Sequence, residues 1–191
     1  MACSDSLTTL DPTCAALRKK GGFDKRFWIG NVADLDGVTY GTDQEVTAFS
    51  FTATKGFKTY SGKRLKHGGN ATLEVGENAN DRLQNFAAVL YAKLAVERLS
   101  LEQLADAMDV FIVAESNSGA LEVFGINKGA NENFDGFGLA PSAAEWKYGV
   151  LPNDDTSVTM TMSGLFENAP LVFDENTSLA ANIIVLDGLV V

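Results

Sequence analysis

The chain has 191 residues, 46% of them hydrophobic, and a formal net charge of −10. That is enough for one domain whose core buries about 70% of the surface its unfolded chain would expose. No run of about 18 apolar residues occurs, which excludes a membrane-spanning helix; an acidic chain also does not bind nucleic acid by neutralising phosphates.

The first 20 residues are polar, carry Pro12 and show no sustained period, which reads as an extended N-terminal arm. Its opening, MACSDSLTTLDPTC, lacks the basic stretch followed by an apolar one that marks a secretory leader. Both cysteines, Cys3 and Cys14, lie in this arm, where a disulfide would close only a short loop. Two reduced thiols, in a protein made in a reducing cytoplasm, are the simpler expectation.

Gly21-Gly22 ends the arm before the first expected strand, Lys25 to Val32. A short strand around Val38–Tyr40 follows Asp36-Gly37, a hairpin-type turn signal. Glu45 to Thr54 and Phe57 to Leu65 are rich in β-formers, and Ala71 to Val75 follows a Gly68-Gly69-Asn70 turn. Together they predict a hairpin with a basic rim of Lys55, Lys58, Lys63, Arg64 and Lys66. The nearby Phe49, Phe51, Phe57 and Tyr60 fit core positions of strands better than a stacking face for single-stranded nucleic acid.

From Asn80 to Arg98 the apolar residues Leu83, Phe86, Ala87, Leu90, Tyr91 and Leu94 recur at i, i+3, i+4, i+7, i+8 and i+11. That spacing predicts an amphipathic helix over about 80–98. Ser100-Leu-Glu-Gln103 has the form of a capping box and predicts a second, short helix through about Ala107.

Val110 to Glu115 is continuously apolar, as in a strand covered on both faces. Asn117-Ser-Gly119 turns the chain into a strand at Leu121 to Ile126, and the Gly- and Asn-rich stretch 127–149 predicts a long loop. Thr156 to Phe166 alternates strictly, with Val158, Met160, Met162, Gly164 and Phe166 on one side, and predicts a strand wetted on the other. Pro170 to Phe173 adds a strand end. Leu179 to Val191 is apolar enough to need a cover, either as a strand of the chain's own sheet or as an arm lent to a neighbour. Residues 176–191 are thus expected as a C-terminal arm or strand beyond a β-rich domain over 21–175.

Charge divides unevenly along this layout. Residues 1–66 hold 10 Lys/Arg against 7 Asp/Glu, and residues 67–191 hold 5 against 18. A basic part and an acidic part suit pairing between copies, as well as ordinary solubility.

Motifs that carry catalysis are lacking, and among the 25 Asp and Glu no spacing singles out a catalytic pair. The single histidine, His67, lies among basic residues with no carboxylate partner in the local sequence, and there is no G-x-S-x-G. No P-loop or dinucleotide fingerprint occurs. The acidic stretches Asn131–Asp135 and Asn153–Asp155 lack the twelve-residue calcium loop and read as solvated turns. Neither catalytic, cofactor-binding nor metal-ligating residues are expected.

Three stretches carry a resemblance: CAALRKKGGFDKRFWIGNVADLDGV, FIVAESNSGALEVFGINKG and NDDTSVTMTMSGLFENAPLVF. They resemble the tail tube proteins of bacteriophages, in particular the tail-tube-like virion proteins of Bacteroidetes phages, over roughly residues 14–173. The resemblance implies a mainly β fold, a β-sandwich or open barrel with one flanking helix. It implies a non-enzymatic virion subunit, assembled in the host cytoplasm, that forms hexameric rings stacked into a DNA-conducting tube. Its partners would be further copies of itself and other tail proteins such as tape measure, terminator or sheath, with DNA passing unbound. The inter-subunit contacts expected are Lys55, Lys58, Lys63, Arg64 and Lys66 of the basic rim and Ile183, Ile184, Val185 and Leu186 of the C-terminal segment. A head–tail connector ring, a capsid decoration protein and a glycan-binding β-sandwich are the alternatives.

Overall fold

A computed structural model describes residues 22–42, 44–62, 66–75, 80–91, 95–117, 119–128, 137–147, 157–175 and 178–191. The expected N-terminal arm, Lys63 and Arg64 lie outside them. Seven strands form one sheet in the order β2-β3-β11-β8-β7-β1-β4, where β1 is Phe23–Asn31, β2 Leu35–Tyr40, β3 Glu45–Phe51, β4 Lys58–Ser61, β7 Val110–Ser116, β8 Leu121–Phe124 and β11 Leu171–Phe173. Four more form a second sheet in the order β5-β6-β10-β9, with β5 Gly68–Val75, β6 Asn80–Leu90, β9 Ala140–Lys147 and β10 Ser157–Phe166. The fold is mainly β and sandwich-like, with α1 (Ala95–Ala105) and α2 (Leu179–Gly188) packed on it. No helix among the described residues is long and apolar enough to cross a membrane.

The central strands of the seven-stranded sheet are buried on both faces. On one face Phe27, Ile29, Ile112 and Ala114 meet Phe86, Leu90, Met160 and Phe166 of the smaller sheet, with Leu101 and Leu104 of α1 closing the end. On the other, Trp28, Phe49, Phe111, Val113 and Phe173 are covered by Leu186 and its half-buried neighbours on α2. This double burial is why β7 reads as an unbroken apolar run. In β10, Val158, Met160, Met162 and Phe166 are buried while Thr159, Thr161 and Ser163 are half-exposed, as strict alternation requires. Phe49 and Phe57 are core residues, edge-on to one another at 5.4 Å, and Phe51 packs beside them.

Gln84 ties the two sheets together. Its amide Nε2 donates to the Asn168 carbonyl (2.9 Å) and its Oε1 accepts from the Gly125 N–H (3.0 Å), all within the buried interior. Asn168 extends the clasp, accepting from Lys128 N–H at 2.9 Å and donating to the Ile126 carbonyl at 3.3 Å. The chain leaves β8 through Gly125 at φ +83°, where a Cβ would come within 2.8 Å of the Val110 carbonyl, so only glycine fits the turn.

Several expectations are overturned. Residues 80–90 are a strand, not the first half of a helix over 80–98, and β6 pairs with β10 at nine successive positions. Its inner face is Gln84, Phe86, Ala88 and Leu90. A buried Gln inside and Leu83 and Val89 half-buried outside hide the alternation, and the remaining apolar residues fall by chance on a helical spacing. The flanking helix is α1, one continuous element through Ser100, so Ser100 is an interior residue and not a cap. Residues 45–75 are not a hairpin: β3 pairs β2 and β11, β4 pairs β1, and β5 belongs to the other sheet. The 127–149 stretch holds a strand, β9, in place of an unbroken loop. Asp36-Gly37 lies inside β2 at a register shift, not in a turn.

Residues 179–188 of the C-terminal segment are a helix, not a strand, and pack on this chain's own sheet. Ser178 caps it, its Oγ accepting from Ala181 N–H at 3.3 Å, and Asn182 reaches back to Asp174 at 3.1 Å. Leu179, Asn182, Ile183 and Leu186 form the inner face, an i, i+3, i+4, i+7 set. The β-branched run Ile183-Ile184-Val185 and the polar Asn182 on the inner side obscured it.

Candidate functional site

The four-stranded sheet is larger than the surface that covers it. Every residue of β5 is exposed, and β9 is exposed from Ser142 to Lys147. These are its two outer strands, and neither pairs with a further strand among the described residues. Leu73 and Val75 of β5 are 54% and 77% exposed, and Trp146 of β9 is 37% exposed. Bare, flat edges with apolar side chains are what monomeric β-proteins avoid, because the free N–H and C=O groups template pairing with another chain.

Register separates the two faces of this sheet. Leu73 lies opposite Arg82 and Gly69 opposite Phe86, on the core side. The outer side carries Gly68, Asn70, Thr72 and Glu74 of β5 and, opposite them, Ala87, Asn85, Leu83 and Asp81 of β6. Across β10 it continues as Thr159, Thr161 and Ser163, then as Ala143, Glu145 and Lys147 of β9. This surface is built mostly of small hydroxyl, amide and methyl side chains, with Leu83, Val89 and Leu165, the last 60% exposed, as its larger apolar members. Its charges are Glu74, Asp81 and Glu145 against Lys147, whose ammonium pairs with Glu145 at 3.3 Å. Such a face offers phosphate little to hold and some repulsion.

The contact residues expected from sequence are not brought together. Lys55 pairs with Asp34 at 3.3 Å, and Lys58 donates to the Val191 carbonyl at 2.8 Å. Lys66 is exposed, just ahead of β5. Leu186 is fully buried in this chain's own core, Ile183 and Val185 pack against that core, and only Ile184, 71% exposed, faces outward. The segment is therefore spent on its own sheet. The sequence predicts a strand over Ala71 to Val75 but neither the start of β5 nor any of β9, since Gly68-Gly69-Asn70 and Ala140–Ala144 are poor β-formers with little alternation.

α2 is also clamped by polar contacts. Asp187 accepts from the Trp28 indole Nε1 at 3.0 Å and from the Arg26 guanidinium at 3.1 Å, and the guanidinium lies 4.6 Å over the indole ring. The ion pair is about one-third exposed at Arg26 and more at Asp187, so solvent screens it. Asp187→Asn keeps an acceptor for the indole and is expected to cost under about 1 kcal/mol in a urea melt. A larger loss would mean that the ion pair, not the indole bond, seats the helix.

His67 is 2% exposed, its ring edge-on to Phe27 at 5.1 Å, and its Nδ1 accepts from Val89 N–H at 3.2 Å. It is walled into the sandwich interior. Among the described residues no three of His, Cys, Asp and Glu lie close enough to hold a metal ion. No family model, no curated protein and no solved structure matches the chain.

Proposed function

We propose that this chain is a structural ring subunit of a virion, the tail tube protein of a bacteriophage. The observation that carries the reading is the four-stranded sheet with two exposed outer strands. Successive strands in β5-β6-β10-β9 are antiparallel, so β9 of one copy beside β5 of the next continues the up-and-down order without a break. An even number of alternating strands per copy closes into a fully antiparallel barrel by simple rotation, and closure removes every edge. The contact is head-to-tail, the kind that generates a ring when the rotation closes.

The outer face, mostly small polar residues and carboxylates with Leu83, Val89 and Leu165 among them, then lines the channel, where DNA passes without adhering. Stacking of rings extends the channel into a tube. The sandwich core and the two helices hold the barrel-forming sheet rigid from outside.

The test is electron microscopy of the purified protein beside the double variant Leu73→Lys, Val75→Lys. Rings or tubes are expected from the parent and monomers from the variant, because charged side chains blunt an edge. Both positions are exposed, so the variant's melting curve should stay within about 0.5 kcal/mol of the parent. Monomers from the parent at high concentration would sink the proposal.

A further inference from the structure

β6 changes partners near its end, and His67 fills the gap. β5 pairs with β6 from Val75↔Asn80 to Gly68↔Ala87, after which β6 is met by Gly62, just past β4, in a bridge to Leu90. Had β5 continued in register, Lys66 would stand opposite Val89 and its carbonyl would take the Val89 N–H. The imidazole takes it instead, Nδ1 accepting at 3.2 Å. Gly62 makes room for the ring, since a Cβ there would collide with His67 Cε1, at 2.5 Å, and with the Val89 carbonyl oxygen. Phe27 of β1 stands edge-on to the ring on its other side. One buried side chain thus joins β1, the end of β4 and β6, at the corner where the two sheets meet.

This corner admits the imidazole in one form. A nitrogen that accepts carries no proton, whereas an imidazolium carries one on each nitrogen. A proton on Nδ1 would point at the Val89 N–H, donor against donor, on a ring only 2% exposed. The ionisable groups of the surrounding elements are engaged or directed elsewhere. On β1, Arg26 turns to Asp187 on the opposite face. On β4, Lys58 reaches the Val191 carbonyl, and burial raises the Tyr60 hydroxyl above its ordinary pKa, which keeps it neutral. On β6, Asp81 and Arg82 lie about 23 Å or more along the strand. Lys66, the preceding residue, is exposed and cationic, and Glu97 of α1 is exposed at the rim of a hollow lined by Tyr60 and Leu90.

We propose that His67 is an acid-sensitive latch: protonation in mild acid breaks its bond to Val89, opens the corner between β4, β5 and β6, and loosens β5. The sign follows from proton linkage. The folded chain holds the ring neutral, while the unfolded chain binds a proton below about pH 6.5. The stability from this latch is therefore whole above that pH and falls as the pH drops. For one proton, the unfolding constant rises about tenfold between pH 7.5 and 5.5. Where rings close through β5, which rests on the function proposed above, the same opening frays the closing edge. The latch itself is a property of the single chain.

The test uses the full-length Leu73→Lys, Val75→Lys chain, whose blunted edge keeps ring formation out of the result whether or not the parent assembles. Urea melts at pH 7.5 and 5.5 are compared with the same chain carrying His67→Asn, whose Oδ1 can accept where Nδ1 did and does not titrate. The tenfold rise is expected with His67 and a change below about twofold with His67→Asn. Hydrogen exchange, corrected for its intrinsic pH dependence, should lose more protection in β5 and the end of β6 than in β7. His67 is the only histidine, so its ring signals in NMR report protonation directly and serve even if the variant does not fold. An unchanged unfolding constant, an equal rise with His67→Asn, equal loss of protection in β5 and β7, or a ring that titrates near pH 6.5 in the folded chain with β5 still protected would each overturn the proposal.

Discussion

Gln84→Ala is expected to lower stability by about 2–4 kcal/mol, because it strips partners from two buried backbone groups at once. The Gly125 N–H loses its acceptor, the Asn168 carbonyl loses a donor, and both lie where water has no ready access. For a chain of this length that corresponds to a fall of roughly 5–15 °C in melting temperature. Asn85→Ala, one residue on and on the outer face, is expected within about 0.5 kcal/mol of the parent. Urea melts of both variants check the pair. Equal losses at the two positions would contradict the strand assignment of residues 80–90, since only a strand sends these neighbours to opposite faces.

The second large effect concerns α2. Leu186→Ala removes a fully buried side chain from the core beneath the helix and is expected to cost about 2–5 kcal/mol. Ile184→Ala, at a site 71% exposed, is expected to be neutral within about 0.5 kcal/mol. Were the segment an arm gripping a neighbour, the order would reverse on assembly: Ile184→Ala would weaken rings while Leu186→Ala left the monomer intact. In a Trp146→Phe background, Trp28, bonded to Asp187, lets fluorescence follow the docking of α2, and it should shift to the red in Leu186→Ala before global unfolding. An unchanged spectrum up to the global transition would mean that helix and sheet part together.

The elements legible in the sequence are those whose burial is one-sided or complete. β10 alternates because one face meets the core and the other is half-wetted, and β7 is continuously apolar because both its faces are covered. β1, β3, β8 and β11 lie close to where β-forming residues placed them. Where a strand's inner face holds a polar residue with a tertiary partner, the pattern fails. Gln84 looks like a solvent position, yet its hydrogen bonds reach residues 41 and 84 positions away. β9 escapes for the opposite reason: it is exposed from Ser142 to Lys147, so little periodicity is imposed, whereas β5 is legible from Ala71 to Val75 and lacks only its first three residues.

The candidate site follows the same division. Lysines in sequence proximity suggested one basic rim, but pairing sends β4 and β5 to different sheets, and Lys55 and Lys58 meet Asp34 and Val191 instead. The apolar C-terminal segment signalled a need for cover without saying by what. Sequence alone determined the β-rich class, the hydrophobic content, the acidic charge and the single histidine, because these depend on composition and short-range pattern. Tertiary structure alone decided that residues 80–90 pair as a strand, that α2 folds onto its own sheet, and that the exposed edges are β5 and β9. Those outcomes depend on contacts between residues far apart in the chain, and no local window contains both partners.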